Sequence, residues 1–88
     1  MTQQDSLIEY PCDFPIKIFG EAHANFAQAI AVVVQAHVPD FNAATIESRN
    51  SKTSRYISLT CTVHVTSRDQ LDNLYRDLTS HPMVKMVL

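Results

Sequence analysis

From Arg55 to Thr66 the chain reads RYISLTCTVHVT. Ile57, Leu59, Cys61, Val63 and Val65 fall on one side of a two-residue period. Ser58, Thr60, Thr62 and His64 fall on the other. A helix spreads residues at that spacing around its whole circumference, whereas a strand gathers them on one face. The β-branched content suits a central, half-buried strand. Such a strand needs a layer to cover its apolar face, and only 88 residues are available to supply it. A chain of this length makes one domain with one modest core, burying about 60–65% of the surface its unfolded form exposes.

The rest of the chain supplies that layer in a definite order. FPIKIF has the same period of two, with Phe14, Ile16 and Ile18 on one face and Lys17 and Phe19 on the other; Gly20, the single glycine, is expected to end the strand. Pro11 and Pro15 bracket an extended lead-in. Residues 1–12 are polar and mixed and are expected to form a loose arm, with the domain occupying 13–88. In NFAQAIAVVVQAHVP the apolar residues Phe26, Ala27, Ile30, Val33 and Val34, with His37, recur at three- and four-residue spacing, which predicts a helix stopped by Pro39. FNAATIESRNS is a weaker strand, with Ala44, Ile46 and Ser48 alternating with Thr45, Glu47 and Arg49, and SRNSKTS is a polar turn. After the long strand, Ser67 with Gln70 three residues on forms a capping-box pattern, and Asp69 suits the positive end of a helix dipole. Leu71, Leu74, Tyr75 and Leu78 make the buried stripe of that helix. His81–Pro82 ends it, and MVKMVL is the last strand.

Strand, helix, strand, strand, helix, strand is the order of the ferredoxin-like βαββαβ plait, an α+β fold. It carries a four-stranded antiparallel sheet in the order 4-1-3-2 with both helices on one face. The final strand is therefore expected on an edge, beside Phe14–Phe19. The face away from the helices should show Lys17, Phe19, Thr45, Glu47, Arg49, Ser58, Thr60, Thr62 and His64, with either Met83 and Lys85 or Val84 and Met86. An exposed apolar edge strand invites a partner unless it is covered or charged, and Lys85 is the only charge on this one.

Composition narrows the function. The chain is 45% hydrophobic and 18% charged, as a folded domain is. Its formal charge is −2, and its seven Lys and Arg are outnumbered by nine acids, so the basic stripe of a nucleic-acid-binding domain is missing. No run approaches the roughly 18 apolar residues needed to span a bilayer. MTQQDSLIEYPCDFP has no basic segment followed by an apolar run, so a secretory signal is not expected and the cytoplasm is the expected compartment. There Cys12 and Cys61 should be unpaired.

The chemistries hosted by this plait each leave a mark. The first loop, GEAHANF, holds no CxxC for a metal. The long strand offers no aromatic platform for RNA bases. The Gly-rich phosphate loop with arginine found in acylphosphatases is missing after the first strand. His23, His37, His64 and His81 lack metal-ligand spacing, and Cys61 and His64, three apart on a strand, face opposite ways. Nothing marks a serine as a nucleophile. No catalytic residue, metal or cofactor is expected, and the chain reads as a non-enzyme. SRNSKTSR, with Arg49, Lys52 and Arg55, reads first as a solvated loop and second as a site for an anion or an acidic partner. The candidate binding residues are Phe19, Arg49, Lys52, Arg55, Tyr56, Thr62, His64 and Met86.

FPIKIFG, VVVQAHVPDF and SRNSKTSRYISLTCTVHVTSRDQLDNLYRDLTSHPMVKMVL together resemble the YbeD-like family of small bacterial proteins of unknown function. The resemblance runs over nearly the whole chain after the first dozen residues. Its most specific pieces are the serine-rich turn into Tyr56 and Ser58, LYRDL and VKMVL. Relatives tend to carry a glycine before the tyrosine, where this chain has Thr53, Ser54 and Arg55. The resemblance implies a plait similar to ACT-type regulatory domains, which bind small ligands, often amino acids, at dimer interfaces. It also implies a cytoplasmic protein without an established activity, whose genes often neighbour lipoate-attachment genes. It transfers no functional residue. The expected function is a regulatory or adaptor domain binding a protein partner through its open sheet face or edge strand. The alternative is an ACT-like small-molecule sensor with ligand at a homodimer interface.

Overall fold

The computed structural model describes residues 9–53 and 55–88. Most of the expected N-terminal arm, residues 1–8, lies outside the described residues, as does Ser54 in the turn before Tyr56. The elements are β1 (Cys12–Glu21), α1 (Phe26–His37), a 3-10 turn (Ala43–Thr45), β2 (Glu47–Asn50), β3 (Tyr56–Val65), α2 (Arg68–Thr79) and β4 (Val84–Val87). The sheet is antiparallel throughout, in the order β2-β3-β1-β4, which is the expected plait read from its other edge. β1 and β3 pair along ten residues each, from Cys12 opposite Val65 to Glu21 opposite Tyr56.

The alternation in β1 and β3 decides which face the helices cover. Ile16, Ile18, Leu59, Cys61, Val63 and Val65 are fully buried, while Lys17, Thr62 and His64 between them are exposed. The helical stripes Phe26, Ile30 and Val34 on α1 and Leu71, Leu74 and Leu78 on α2 close over that face. Fully burying one such aliphatic or phenyl side chain is worth about 1.5–3 kcal/mol, so this single layer is the main source of stability.

Three local expectations change. Gly20 does not end β1; the strand runs on to Glu21, and Gly20 is buried within it, pairing with Ile57 on one side and Val84 on the other. Its backbone is not in the left-handed region. What selects glycine is space, since an added Cβ would lie 2.4 Å from the Met83 carbonyl oxygen and 2.7 Å from Phe26 Cζ. The second strand starts at Glu47, not near Ala44. Asn42 accepts from the Ala44 backbone N–H at 3.0 Å and its carbonyl accepts from Thr45 Oγ1 at 2.7 Å, which winds Ala43–Thr45 into a 3-10 turn and takes Thr45 out of the strand. The alternation in the last strand also breaks. Ile18 faces Val87 and Phe19 faces Met86, but Gly20 faces Val84, so Lys85 is the extra residue of a bulge. Met86 therefore sits beside Phe19 on the open face while Val84 packs against the core, a mixture of the two expected pairs.

Pro15 is tolerated inside the central strand β1 for a positional reason. The Lys17 N–H points toward β4 and donates to the Leu88 carbonyl at 3.1 Å. Pro15, two residues earlier, has its nitrogen on the same side, beyond the end of that strand, where no ladder bond is lost.

Gln70 joins the two helices. Its backbone N–H donates to Ser67 Oγ at 3.2 Å, as the capping pattern requires. Its Oε1 accepts from the Thr66 N–H at 2.7 Å, one residue before the cap, and its Nε2 donates to the His37 carbonyl at the end of α1 at 2.8 Å. Nearby, His37 Nε2 lies 2.5 Å from Asp77 Oδ2. Gln70→Ala strands both the Thr66 donor and the His37 acceptor and is expected to cost about 1–2 kcal/mol. Gln70→Glu keeps the acceptor for Thr66 and should cost about half as much. Thermal unfolding of the two variants checks this, and equal losses would mean that the link to α1 carries the effect alone.

Candidate binding face

Residues directly paired across an antiparallel sheet project from the same face, so the register orders the open face into rows. Arg49, Ser58, Phe19 and Met86 form one row across all four strands. Glu47, Thr60 and Lys17 form the next, and Leu88 extends it, because Leu88 and Lys17 exchange both backbone hydrogen bonds at 2.8 and 3.1 Å. Glu21 and Tyr56 form a third row toward the β2–β3 hairpin, and there Lys85 Nζ reaches Glu21 Oε2 at 3.3 Å. Tyr56, Met86 and Leu88 are 48%, 49% and 61% exposed around a half-buried Phe19.

Two shallow depressions lie side by side on this half of the sheet. One, of about 180 Å³, is lined by Phe19, Arg49, Tyr56 and Ser58 among others. The other, of about 280 Å³, is lined by Lys17, Glu47, Ser48, Arg49, Ser58 and Thr60. Arg49 and Ser58 form the shared wall.

The eight candidate residues thus divide. Phe19, Arg49, Tyr56 and Met86 come together. Lys52 and Arg55 are exposed in the adjoining hairpin turn and line neither depression. Thr62 and His64 belong to the far end of the face, where they share a separate depression with Asp13, Phe41, Asn42 and Thr45, and His64 Nδ1 lies 2.9 Å from Asp13 Oδ1. Lys17 and Leu88 complete the near group without having been singled out among the candidates. Their signal was the period of two, since Lys17 is in phase with Phe19 and Leu88 with Met86.

Reactive groups do not converge there. Cys61 lies in the core, where burial pushes its thiol up to about 11, so it stays protonated. Desolvation likewise raises the Tyr75 hydroxyl, which donates to the Leu88 carbonyl at 3.4 Å. Cys12 and Cys61 are both free thiols. Among the described residues no three His, Cys, Asp or Glu side chains are grouped to hold a metal ion, and no helix is long and apolar enough to cross a membrane.

Comparison with known proteins gives a consistent picture. The family model described as "Protein of unknown function (DUF493)" matches residues 5–88. A UPF0250 protein of Janthinobacterium sp. (strain Marseille) is 60% identical over 84 residues, covering 96% of this chain and 92% of that protein. UPF0250 protein NE1487 of Nitrosomonas europaea is 53% identical over 85 residues, covering 97% and 98%. Among solved structures, protein HP0495 from H. pylori superposes with a TM-score of 0.71 at 12% identity, over 92% of this chain and 85% of that one. The ACT domain from the GTP pyrophosphokinase of Chlorobium tepidum, in its crystal structure, gives 0.64 at 24% identity, over 88% and 97%. At these identities both structures speak for the fold alone.

Proposed function

This chain belongs to the DUF493 family, and we propose that it is a non-enzymatic regulatory or adaptor domain that docks a protein partner on the open face of its sheet, on the half toward the β2–β3 hairpin. One observation carries this reading. Three of the four large apolar residues most exposed among the described residues, Tyr56, Met86 and Leu88, gather on the face the helices leave uncovered. The fourth, Val32, stands apart on α1. Scattered apolar residues on a surface are ordinary, whereas clustered ones next to polar neighbours mark interaction sites. The short edge strand β4, with Lys85 engaged by Glu21, adds a backbone rim to the same patch.

The ACT-like sensor is a second reading, favoured by the fold likeness and by a depression of about 230 Å³ beside the first loop, lined by Glu21, Ala22, His23, Pro82, Met83 and Lys85. In that reading the partner is a second copy, and ligand lies at the seam.

A benzophenone side chain placed at position 86, with position 32 as an equally exposed control, separates the readings by photocrosslinking in the native cell. The expected result is a discrete adduct from position 86 alone, heavier than two copies of this chain. An adduct of twice the chain's mass would support the sensor instead. Identical adducts from both positions, or none from position 86, would overturn the docking face.

A further inference from the structure

The charge on the docking half of the sheet is opposite in sign to that of the chain as a whole. Lys17, Arg49, Lys52, Arg55 and Lys85 stand in the half between the Lys17–Thr60 row and the hairpin, with only Glu21 and Glu47 against them, a net of +3. The remaining sequence holds Arg68 and Arg76 against seven acids, a net of −5, and together these make the overall −2. The cations are available. Among the described residues Lys17, Arg49, Lys52 and Arg55 make no ion pair within 4.0 Å, whereas Lys85 is held by Glu21 and Arg68 by Asp72. Their arrangement is specific, because Arg49 lines both depressions, beside Phe19 and Tyr56 in one and with Lys17 in the other.

We infer that the partner presents an acidic segment with an apolar anchor, its carboxylates meeting Arg49, Lys17 and the hairpin cations Lys52 and Arg55, and its anchor meeting Phe19, Tyr56 and Met86. This rests on the docking reading and names the chemistry of the occupant. Ser58 lies between Arg49 and Phe19, its hydroxyl donating to the Arg49 carbonyl at 3.4 Å and left able to accept from an extended backbone. An arginine fork suits a carboxylate bidentately, and complementary charge at the rim raises the association rate and rejects basic competitors. A nucleic acid is the weaker fit. Four cations on a small patch of an otherwise acidic chain make few phosphate contacts, and the −5 remainder repels the rest of a long polyanion.

The test is selection of peptides from a random dodecamer library on the full chain, with counter-selection on Arg49→Glu/Arg55→Glu. Affinities of the selected peptides are then measured by fluorescence anisotropy. Circular dichroism first verifies that the exposed-residue variants are folded. The expected peptides carry clustered Asp or Glu beside an aromatic or large aliphatic residue. Their binding should weaken about tenfold or more on the double variant. It should also weaken between about 0.1 M and about 1 M salt, as the screening length falls from about 10 Å to about 3 Å. Tyr56→Ala should weaken it at both salt concentrations. Selected peptides without acids, lost on Tyr56→Ala but indifferent to the arginine reversals, would overturn the acidic partner and leave the docking face standing. Peptides indifferent to every one of these variants, or no selection at all, would overturn both. Polyuridylate binding more tightly than any selected peptide would make the face a nucleic-acid surface and overturn the inference.

Discussion

Gly20→Ala is expected to lower stability by roughly 3 kcal/mol, at the upper end of what an overpacked methyl costs. For a domain of this size that is a fall of roughly 12–24 °C in the midpoint of thermal unfolding. The conformation of residue 20 is not the obstacle, since its backbone is one that alanine adopts freely. The obstacle is that the methyl would sit 2.4 Å from the carbonyl oxygen of Met83 and 2.7 Å from the fully buried ring of Phe26. One is backbone leading into β4, the other is walled in by the core, and neither can swing aside. Something larger must move, and β4 is the more movable because it pairs with β1 alone. The loss should therefore come with displacement at the Phe19–Met86 pair, visible as shifted amide resonances in β4. A midpoint shift below about 4 °C would mean that β4 slides outward at almost no cost.

The open face and the core are coupled at this point, which explains what could and could not be read in the sequence. The long strand, both helical stripes and the order of elements were legible because each rests on a period that burial enforces: Ile57 to Val65 at two, Leu71 to Leu78 at three and four. The sheet order followed from the element order. The start of the second strand was not legible, because Ala44 and Ile46 alternate well enough, and only the Asn42 side chain competing for the Ala44 N–H turns that stretch into a 3-10 turn. The role of Gly20 was hidden for a different reason. A glycine after an alternating run looks like punctuation, and the contact that demands it comes from Phe26 and Met83, the latter 63 positions along the chain. The bulge at Lys85 shares that cause, and with it the choice between the two faces for Met86. Of the candidate residues, Phe19, Arg49 and Tyr56 come together because strand phase and sheet order suffice to place them, whereas Met86 joins them through the bulge. Thr62 and His64 are in the same phase, but they lie four and six residues beyond Ser58 along β3, roughly 13–20 Å away at strand rise.

Phe26→Ala is expected to cost roughly 3–5 kcal/mol, the range for deleting a buried phenyl ring. That is a large part of the about 4–13 kcal/mol available to a domain of this length, so the variant should unfold at a much lower denaturant concentration or be partly unfolded in buffer. Phe26 opens α1 with no side-chain cap on Asn25, so the ring, packed where Gly20 has no side chain, is what anchors that end of the helix to the sheet. The cause can be separated with the milder Phe26→Leu, which keeps most of the volume and should cost less than about 1.5 kcal/mol. Combined with Gly20→Ala, it removes the Cζ that the new methyl would strike and leaves the Met83 oxygen in place. The double variant should then be more stable than the sum of the two losses implies, by about 0.5–3 kcal/mol, measured by urea unfolding of the full cycle. Strict additivity would assign the whole Gly20 effect to Met83. The ring would then anchor α1 without helping to position β4, and the placement of Met86 beside Phe19 would depend on the strand backbone alone.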